Sequence, residues 1–323
     1  MIGYRKDVKA SIIMPMLNEE ENILPAYKRI QELMQKLGYS WELICIDDGS
    51  TDLTYEKTKS LAVSDQRVRV IRMSRNFGPH ACITAGLKVC QGDFAFSVGA
   101  DLQEPIDQLP EFIKKWKEGY SVLWGVRSSR KDPWLTRIFA AIFHGLFGWL
   151  GNLSTLPKQA AFVFMDRKVI NAILRLPERN RMVWGMVAWL GFRQTQILCP
   201  FGNRERGASR WTLAKRVQLA IDTFTSFSFM PIRLVSAMGI LISFLSFLYG
   251  LVIMVGVILG MIHVQGWATL MITILFLSGL QLIVTGMIGE YTWRALDEVR
   301  GRPLYVVSET SGFLPNEINE AKI

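Results

Sequence analysis

A long uncharged run near the carboxyl end constrains the fold of this chain more than any other feature. Between Leu234 and Gly289 there is no Asp, Glu, Lys or Arg. One membrane-spanning helix needs about 20 apolar residues, so the run is long enough for two. The polar stretch at 263–267 predicts a tight turn between them. A buried hairpin in a soluble protein is the alternative, and the length of the run disfavours it.

Positively charged residues flank this predicted hairpin on both sides. Arg216 and Arg233 precede it, and Arg294 and Arg300 follow it. Lysine and arginine concentrate at the cytoplasmic ends of membrane segments. Both flanks are therefore predicted to be cytoplasmic, with the turn facing outward. The stretch 1–10 is polar and charged, unlike a secretory signal, so the amino-terminal domain is also expected in the cytosol.

The first part of the chain alternates short apolar segments with helical ones. Strands are predicted over 8–15, 41–47, 68–74 and 93–100. One helix is predicted to open at Asn18–Glu21 and another to run over Pro79–Cys90. Apolar strands separated by helices indicate an α/β fold with a mostly parallel sheet covered on both faces. The polar tail from 303 onward is expected to dock or fray.

Three side chains fall at the carboxyl ends of these predicted strands. Pro15 ends the first strand, Asp48 follows the second and Asp101 follows the fourth. Parallel α/β sheets bind ligands in the crevice beyond the carboxyl ends of their strands, so the three positions predict a binding site. The alternative for Asp48 is a helix N-cap. Ser50 or Asp52 can serve as that cap and leave Asp48 free to bind.

The charge balance is basic, with 37 Lys and Arg against 28 Asp and Glu and a net charge of +9. Such a balance suits nucleic acid, an anionic membrane surface or phosphorylated ligands. The basic residues cluster beside the apolar run and no nucleic-acid motif is present, so membrane and phosphate are favoured and nucleic acid is not expected. The four cysteines have no CxxC spacing or disulfide pattern, and are expected to be buried thiols in a reducing compartment.

Two segments that precede the hairpin each have one apolar helical face. The first, at 134–150, carries Arg137 and His144 opposite that face, and the second, at 213–224, carries Lys215 there. An amphipathic helix rich in aromatic residues suits a membrane interface. A helix packed in a protein core is the alternative. The apolar run downstream favours the interface.

Five motifs occur in order along the chain and carry a resemblance. They are PMLNEEEN (15–22), IDDGSTD (46–52), SRNFG (74–78), ADLQEP (100–105) and RERGASRW (204–211). With the hairpin that follows, they resemble family 2 glycosyltransferases, and most of all the undecaprenyl-phosphate (bactoprenol) glucosyltransferases. Dolichol-phosphate mannose synthases are similar but more distant. The resemblance covers nearly the whole chain, and the ordered set is far more specific than any one motif.

This resemblance implies a GT-A domain, a Rossmann-like fold that takes a hexose from a nucleotide sugar, usually UDP-glucose. The hexose passes with inversion to a polyprenyl phosphate, with Mg²⁺ or Mn²⁺ as the metal. The implied location is the bacterial inner membrane, multi-pass, with the catalytic domain and both termini cytoplasmic. The implied role is modification of cell-surface glycans such as O-antigen, and relatives of this type form homo-oligomers.

The chain is expected to divide into four parts. They are a nucleotide-sugar-binding core (1–130), an acceptor-side half with interface helices (131–230), two transmembrane helices (231–290) and a cytosolic tail (291–323).

The resemblance also implies roles for individual residues. Asp48 accepts the imide N–H of uracil, Pro15 borders the same pocket and Glu19 bonds the ribose. Asp101 and Gln103 are two residues apart on extended chain, so their side chains point the same way and hold the metal; a plain turn is the alternative. Asp101 is also assigned a catalytic role. The other implied donor-binding or phosphate-gripping residues are Arg75, Asn76, Arg127, Arg130, Arg204, Arg206, Ser209 and Arg210, of which Arg127 and Arg204 are assigned to catalysis.

The chain departs from the motifs of its relatives at two places. They read Asp-Ala-Asp where this chain has Gly99 before Asp101, and Gly-Asp-Phe-Arg where it has Ala161 and Val163. The acceptor phosphate has a second pKa of about 6 and is already largely dianionic, so losing the carboxylate at 161 need not end the reaction. Gly99 removes charge from the metal site. These departures leave two alternatives open, a non-catalytic membrane subunit and transfer of a different sugar.

Overall fold

The computed structural model describes residues 9–101, 106–127, 160–178, 181–200 and 266–313, together with Pro157 and scattered positions between 239 and 259. These residues fall into two compact units. The described residues up to 200 and from 303 onward form the first unit, and those from 239 to 302 belong to the second. The first unit contains an eight-stranded sheet.

The elements of the first unit alternate between strand and helix over most of their order. The strands are β1 (Lys9–Met16), β2 (Ser40–Asp47), β3 (Val68–Met73), β4 (Phe94–Ser97), β5 (Val122–Arg127), β6 (Ala160–Asp166), β7 (Gln194–Cys199) and β8 (Val307–Ser311). The helices are α1 (Ile23–Leu37), α2 (Thr54–Ser64), α3 (Pro79–Val89), α4 (Leu109–Lys117), α5 (Arg167–Leu174) and α6 (Val183–Trp189). The four strands predicted from the sequence correspond to β1–β4.

The strand order in the sheet is β7-β5-β6-β4-β1-β2-β3-β8. The block β4-β1-β2-β3 is parallel throughout, and β5 is parallel to β7. β6 runs antiparallel to both of its neighbours, and β8 runs antiparallel to β3. The prediction of an α/β fold with a mostly parallel, GT-A-like sheet is confirmed. The antiparallel strands were not part of that prediction.

The central strands are buried on both of their faces. Ile12, Ile13 and Met14 are consecutive in β1, and Leu43 and Ile44 are consecutive in β2, and none of the five is exposed. Successive residues of a strand point to opposite faces of the sheet. Consecutive buried apolar residues therefore require cover on each side, and this is the continuous apolar pattern typical of parallel sheets.

The first helix begins later than the sequence predicts. α1 begins at Ile23, so the acidic stretch at 19–21 lies in the turn before the helix and not in its first turn. Asn18 has a φ of 53°, in the left-handed region that a right-handed helix does not include. The prediction that Asn18–Glu21 opens the helix is therefore wrong by about one turn.

The polar tail docks over part of its length. β8 pairs with β3 and forms one edge of the sheet, and the Ser74 amide donates to the Val306 carbonyl at 2.9 Å. Of the two expectations for the tail, docking is the one observed for 307–311. The residues from 314 to 323 lie outside the described part of the chain.

In the second unit the structure describes one long helix without gaps, α7 (Trp267–Val299). Within the residues that the structure describes, no helix combines the length and the apolar character that crossing a bilayer requires. The transmembrane hairpin predicted for 231–290 therefore stays a prediction. The amphipathic segments at 134–150 and 213–224 lie outside the described residues.

Candidate active site

The candidate site lies at the carboxyl edge of the sheet, which we define as the ends of β1–β4 and the turns that follow them. The chain proceeds from β1 through β2 to β3 on one side of β1, and then places β4 on the other side. The strand order thus reverses between β1 and β4, and such a point is where open α/β sheets bind ligands. Pro15, Asp48 and Asp101 all lie at this edge, as the sequence predicts.

Asp48 is held in place by the turn between β3 and α3. Its Oδ1 accepts a bond from the Phe77 amide at 2.7 Å, and its Oδ2 accepts one from the Gly78 amide at 2.9 Å. The sequence interpretation left Asp48 free, but the structure gives it these two amides and the Cys82 thiol as partners. The two carboxylate oxygens together have four lone pairs, so the group can still accept a bond from a ligand. Burial raises the pKa of the Asp48 carboxyl, and the two amide bonds oppose that rise.

Asp52, which the sequence assigns as a helix cap, lies one residue before the N-cap of α2, Leu53, and its side chain bonds the start of that helix. Its Oδ1 accepts from the amide of Thr54, the first residue of α2, at 3.0 Å, and its Oδ2 accepts from the Glu20 amide at 3.4 Å. A carboxylate at a helix start satisfies amides that have no partner within the helix. Asp48 bonds a different turn, so the N-cap alternative for Asp48 is not what the structure shows.

The turns after β1 and β2 interlock through side chains. The Asn18 amide donates to Ser50 Oγ at 2.9 Å, and Asn18 Oδ1 accepts from the Thr51 amide at 2.8 Å. The Glu19 amide donates to Thr54 Oγ1 at 2.8 Å, and Glu19 Oε2 accepts from Asn22. These bonds fix Glu19 beside the turn that carries Asp48. The bonding explains why Asn18 holds a left-handed backbone conformation.

Gly49 is required by the close approach of two turns. Its φ is 75°, and a Cβ on it would lie 2.8 Å from the carbonyl carbon of Arg75. A positive φ strains residues other than glycine, and no real Cβ approaches backbone so closely. The SRNFG turn thus packs directly on the DDGS turn. Arg75 and Asn76 are exposed there, with the Arg75 guanidinium 4.0 Å from the centre of the Phe77 ring.

Asp101 lies half-buried in the turn that follows β4, and Gly99 lies in the same turn. Gln103, its predicted companion, lies outside the described residues. In the described part of the chain, no group of three or more His, Cys, Asp or Glu is arranged to hold a metal. A lone carboxylate does fit a Mg²⁺ that takes its remaining ligands from water and a diphosphate.

Of the other predicted site residues, the structure describes Arg127 and leaves the rest outside the described residues. Arg127 is the last residue of β5 and is half-buried. The remaining predicted basic and polar residues lie outside the described residues: Arg130, Arg204, Arg206, Ser209 and Arg210.

The departure at Val163 has a structural counterpart. Val163 lies in β6 opposite Trp124, and its side chain is fully buried. The family resemblance implies an arginine at this position. In this chain the position belongs to the apolar core, so it brings no positive charge to the site.

Asp47 is a site residue that the sequence interpretation missed. It is fully buried, its Oδ1 accepts from the Ser50 amide at 3.1 Å, and its Oδ2 lies 3.6 Å from Arg72 Nε. Burial raises the pKa of this carboxyl. A carboxylate on the last residue of a buried strand needs a partner. The arginine on the next strand was the signal available in the sequence.

Comparisons with known proteins agree with this geometry. The model of the family described as glycosyl transferase family 2 matches residues 11–171. The uncharacterized glycosyltransferase sll0501 of Synechocystis sp. is 38% identical over 313 residues, which cover 96% of this chain and 98% of that protein. The SfII prophage-derived bactoprenol glucosyl transferase of Shigella flexneri is 34% identical over 304 residues, covering 94% of this chain and 98% of that protein.

Solved structures are less similar. Mannosyl-3-phosphoglycerate synthase from Rubrobacter xylanophilus superposes with a TM-score of 0.47 at 16% identity, over 67% of this chain and 71% of that one. A likeness of this size does not bear on function.

Proposed function

The chain belongs to glycosyl transferase family 2 and is a glycosyltransferase, and from that premise we propose that it transfers glucose from UDP-glucose to undecaprenyl phosphate. One observation carries the proposal. Pro15, Asp48 and Asp101 lie at the carboxyl edge of the sheet, which contains the point where the strand order reverses, and 93–94% of the chain aligns with proteins named bactoprenol glucosyl transferase.

The donor nucleotide is bound by the turns that follow β1, β2 and β3. Asp48 is fixed by two amide bonds, so its remaining lone pairs have a set direction, as acceptance of the uracil imide N–H requires. Glu19 is fixed by its neighbours in the same way and lies on the next turn, where a carboxylate can bond ribose hydroxyls. Ordering these side chains before the donor arrives lowers the entropy cost of binding.

The sugar end of the donor lies towards β4. Asp101 would hold the divalent cation together with Gln103, and the diphosphate would complete its ligands. A cation at that position supplies positive charge next to the leaving diphosphate. Arg127 at the end of β5 is the described basic residue assigned to the phosphates, with Arg204 as its partner in that role.

The transfer needs little acid–base chemistry from the protein. An oxygen of the acceptor phosphate forms the new bond to the anomeric carbon, and the bond from that carbon to the UDP oxygen breaks, with its electron pair leaving on UDP. The acceptor is a phosphate monoester whose second pKa is about 6, so no proton has to be removed from it at neutral pH. Alignment of the two substrates carries most of the rate.

Placement at a membrane completes the proposal. The uncharged run 234–289 and its basic flanks support a two-helix anchor in the bacterial inner membrane, with the sheet on the cytosolic side. The lipid phosphate would then meet the donor at the membrane surface. We also propose that the chain assembles as a homo-oligomer, and that the lipid-linked sugar serves modification of a surface glycan.

Replacement of Asp101 tests the enzymatic proposal. Membranes that contain the Asp101→Ala variant should transfer label from UDP-glucose to undecaprenyl phosphate at least on the order of a hundredfold more slowly, because charge stabilisation at the leaving group is worth several kcal/mol. Asp107→Ala is the matched control, since that exposed carboxylate pairs with Arg29. Unchanged transfer by Asp101→Ala would reject the assigned role.

The donor sugar is a separate question, and Val163 supports a second candidate. The apolar packing at this position changes the charge that a sugar or its phosphates would meet. A panel of UDP-hexoses in the same assay separates the candidates. Glucose as the best donor supports the first, and another hexose supports transfer of a different sugar.

A further inference from the structure

Three charged side chains form a row across three neighbouring strands. Asp47 of β2 pairs in register with Arg72 of β3, and Arg72 pairs in register with Glu309 of β8. Arg72 Nε lies 3.6 Å from Asp47 Oδ2, and Arg72 Nη1 lies 3.1 Å from Glu309 Oε1. Cross-strand neighbours in register share one face of the sheet. We name this row the charge ladder.

Tyr55 of α2 covers the charge ladder. The Arg72 guanidinium lies 4.6 Å from the centre of the Tyr55 ring, and the Tyr55 hydroxyl donates to Glu309 Oε2 at 3.1 Å. Tyr55 is buried, and Asp47 is fully buried, while about a third of the Arg72 side chain is exposed (32%). The arginine is thus held by two carboxylates and one aromatic face, which is a geometry that a lysine reproduces only in part.

The inner end of the charge ladder reaches the donor-binding turns. Asp47 Oδ1 accepts from the Ser50 amide at 3.1 Å, and Ser50 Oγ accepts from the Asn18 amide at 2.9 Å. Asp47 is also adjacent to Asp48 in sequence. A continuous path of charges and hydrogen bonds therefore runs from Glu309 to the turn that carries Glu19.

We propose that the charge ladder positions the donor-binding turns, so that β8 and Arg72 set the affinity of the site for the UDP moiety. Asp47, Arg72 and Glu309 are positioning residues, since they act through Asp48 and the Asn18 turn. The inference rests on the proposed function, because it assigns the ladder to the same nucleotide site. It gives the carboxyl-terminal strand a part in substrate binding that its edge position in the sheet does not suggest.

The physical reason lies in the charge of Asp47. A buried carboxylate that loses its cation must either take up a proton or remain as an uncompensated charge. Either change alters the bond to Ser50, and an uncompensated charge also repels the neighbouring Asp48 and an incoming diphosphate. Glu309 orients the Arg72 guanidinium towards Asp47. Loss of the Glu309 charge should therefore disturb Asp47 in the same way as loss of Arg72, but less strongly.

Titration of the full-length protein with UDP tests the inference without requiring transfer. Arg72→Gln should raise the Kd for UDP by roughly two- to thirty-fold, the range found for residues that act through others. Glu309→Gln should raise it less, and Arg72→Lys should recover part of the affinity. In the transfer assay the same variants should raise KM for the donor while kcat stays within about twofold of wild type, since the reacting atoms lie towards Asp101.

Arg67 supplies a matched control within the same chain. It too pairs with a carboxylate, Asp65 at 2.8 Å, and lies over an aromatic ring, that of Trp41 at 4.4 Å, but it precedes β3, whereas Arg72 is the last residue but one of that strand. Arg67→Gln should lower the unfolding temperature without changing the Kd for UDP. An equal loss of affinity in Arg67→Gln and Arg72→Gln would show a merely structural effect and overturn the inference.

The remaining outcomes of the titration distinguish the inference from the proposed function. Wild-type affinity in Arg72→Gln and in Glu309→Gln overturns the inference and leaves the proposed function standing. If Arg72→Gln does not fold, Glu309→Gln decides alone, because its side chain lies 46% exposed on an edge strand. Absence of UDP binding by the wild-type protein overturns the proposed donor site and the inference together.

Discussion

Buried carboxylates lie at both edges of the sheet, and the charges of Glu42 and Asp48 are compensated differently. We call the amino edge the region where β1, β2 and β4 begin. There Glu42 Oε1 accepts from Ser11 Oγ at 2.5 Å and from the Gln91 amide at 2.7 Å. Its Oε2 lies 3.2 Å from Lys9 Nζ and 3.3 Å from Arg69 Nη1, at ion-pair distance although outside hydrogen-bond geometry.

At the carboxyl edge the partners of Asp48 are of another kind. Its two oxygens accept from the amides of Phe77 and Gly78, which carry no formal charge. The amino edge thus neutralises its carboxylate with cations of the protein itself. At the carboxyl edge Asp47 has Arg72 as its cation, but Asp48 is oriented by uncharged amides and keeps acceptor capacity for a ligand. The difference indicates that Glu42 serves stability and Asp48 serves binding.

The sharpest way to break this comparison is to remove Glu42. Glu42→Ala leaves Arg69 buried without its carboxylate, and breaking a buried ion pair costs about 3–5 kcal/mol of unfolding free energy. Thermal unfolding should show the loss, while the folded fraction keeps wild-type affinity for UDP. Glu56→Ala, an exposed glutamate of α2, should leave both quantities unchanged. A large loss of UDP affinity in folded Glu42→Ala would mean that the two edges are not separate in function.

A glycine pair gives the next largest effect. Gly49→Ala places a Cβ against the Arg75 backbone at a φ of 75°, so the DDGS and SRNFG turns must separate. Strain of this kind costs of order 1–3 kcal/mol, and KM for the donor should rise with it. Gly38→Ala has a similar φ of 68° but meets no atom within 4 Å. It should cost stability alone, and an equal rise in KM there would contradict the account of Gly49.

The smallest effect concerns the pH dependence of stability. Burial pushes the pKa of Asp65 up, but bonds from Arg67 and Tyr27 outweigh it and lower the pKa to about 2. A depressed pKa contributes stability above the unfolded value of about 3.9, and that stability is lost as the pH falls towards 2. Asp65→Asn should therefore lower the unfolding temperature at pH 7, and the difference from wild type should vanish between about pH 4 and pH 2.

The same measurement sharpens the contrast with the carboxyl edge. The pKa of Asp48 is raised, so its ionised form opposes folding at neutral pH and this cost falls as the pH drops through the raised value. Ionisation of Asp65 therefore stabilises the folded protein, and ionisation of Asp48 destabilises it. A difference between wild type and Asp65→Asn that grows on acidification would contradict the ion-pair assignment.

The parallel core was predictable because its signal is local. β1–β4 are short apolar runs separated by helical segments, and their carboxyl ends place Pro15, Asp48 and Asp101 at one edge of the sheet. Strands β5–β8 lie outside the predicted parallel block, and β6 and β8 run antiparallel to their neighbours. The pairing of β8 with β3 joins positions more than two hundred residues apart, and nothing in the local sequence specifies its partner.

The details of the site were less predictable than its location. The start of α1 is displaced because side chains of the next turn hold Asn18 in a left-handed conformation, and such a contact between turns leaves no periodic pattern. Asp48 was expected to be free, but it bonds the backbone amides of Phe77 and Gly78. Every residue except proline has such an amide, so the sequence does not show which amides a carboxylate will bond. The Asp47–Arg72 pair did have a signal in the sequence, which is a charged residue at the end of a buried strand. The register of β2 and β3 is needed to show that the two residues are neighbours.

The central claim is that the carboxyl edge between β1 and β4 binds the nucleotide sugar, and a structure determined with UDP and Mn²⁺ tests it most directly. We expect density for the uracil ring beside Asp48 and for the diphosphate beside Asp101. Nucleotide density at another place, with protein side chains filling the space between these two aspartates, would contradict it.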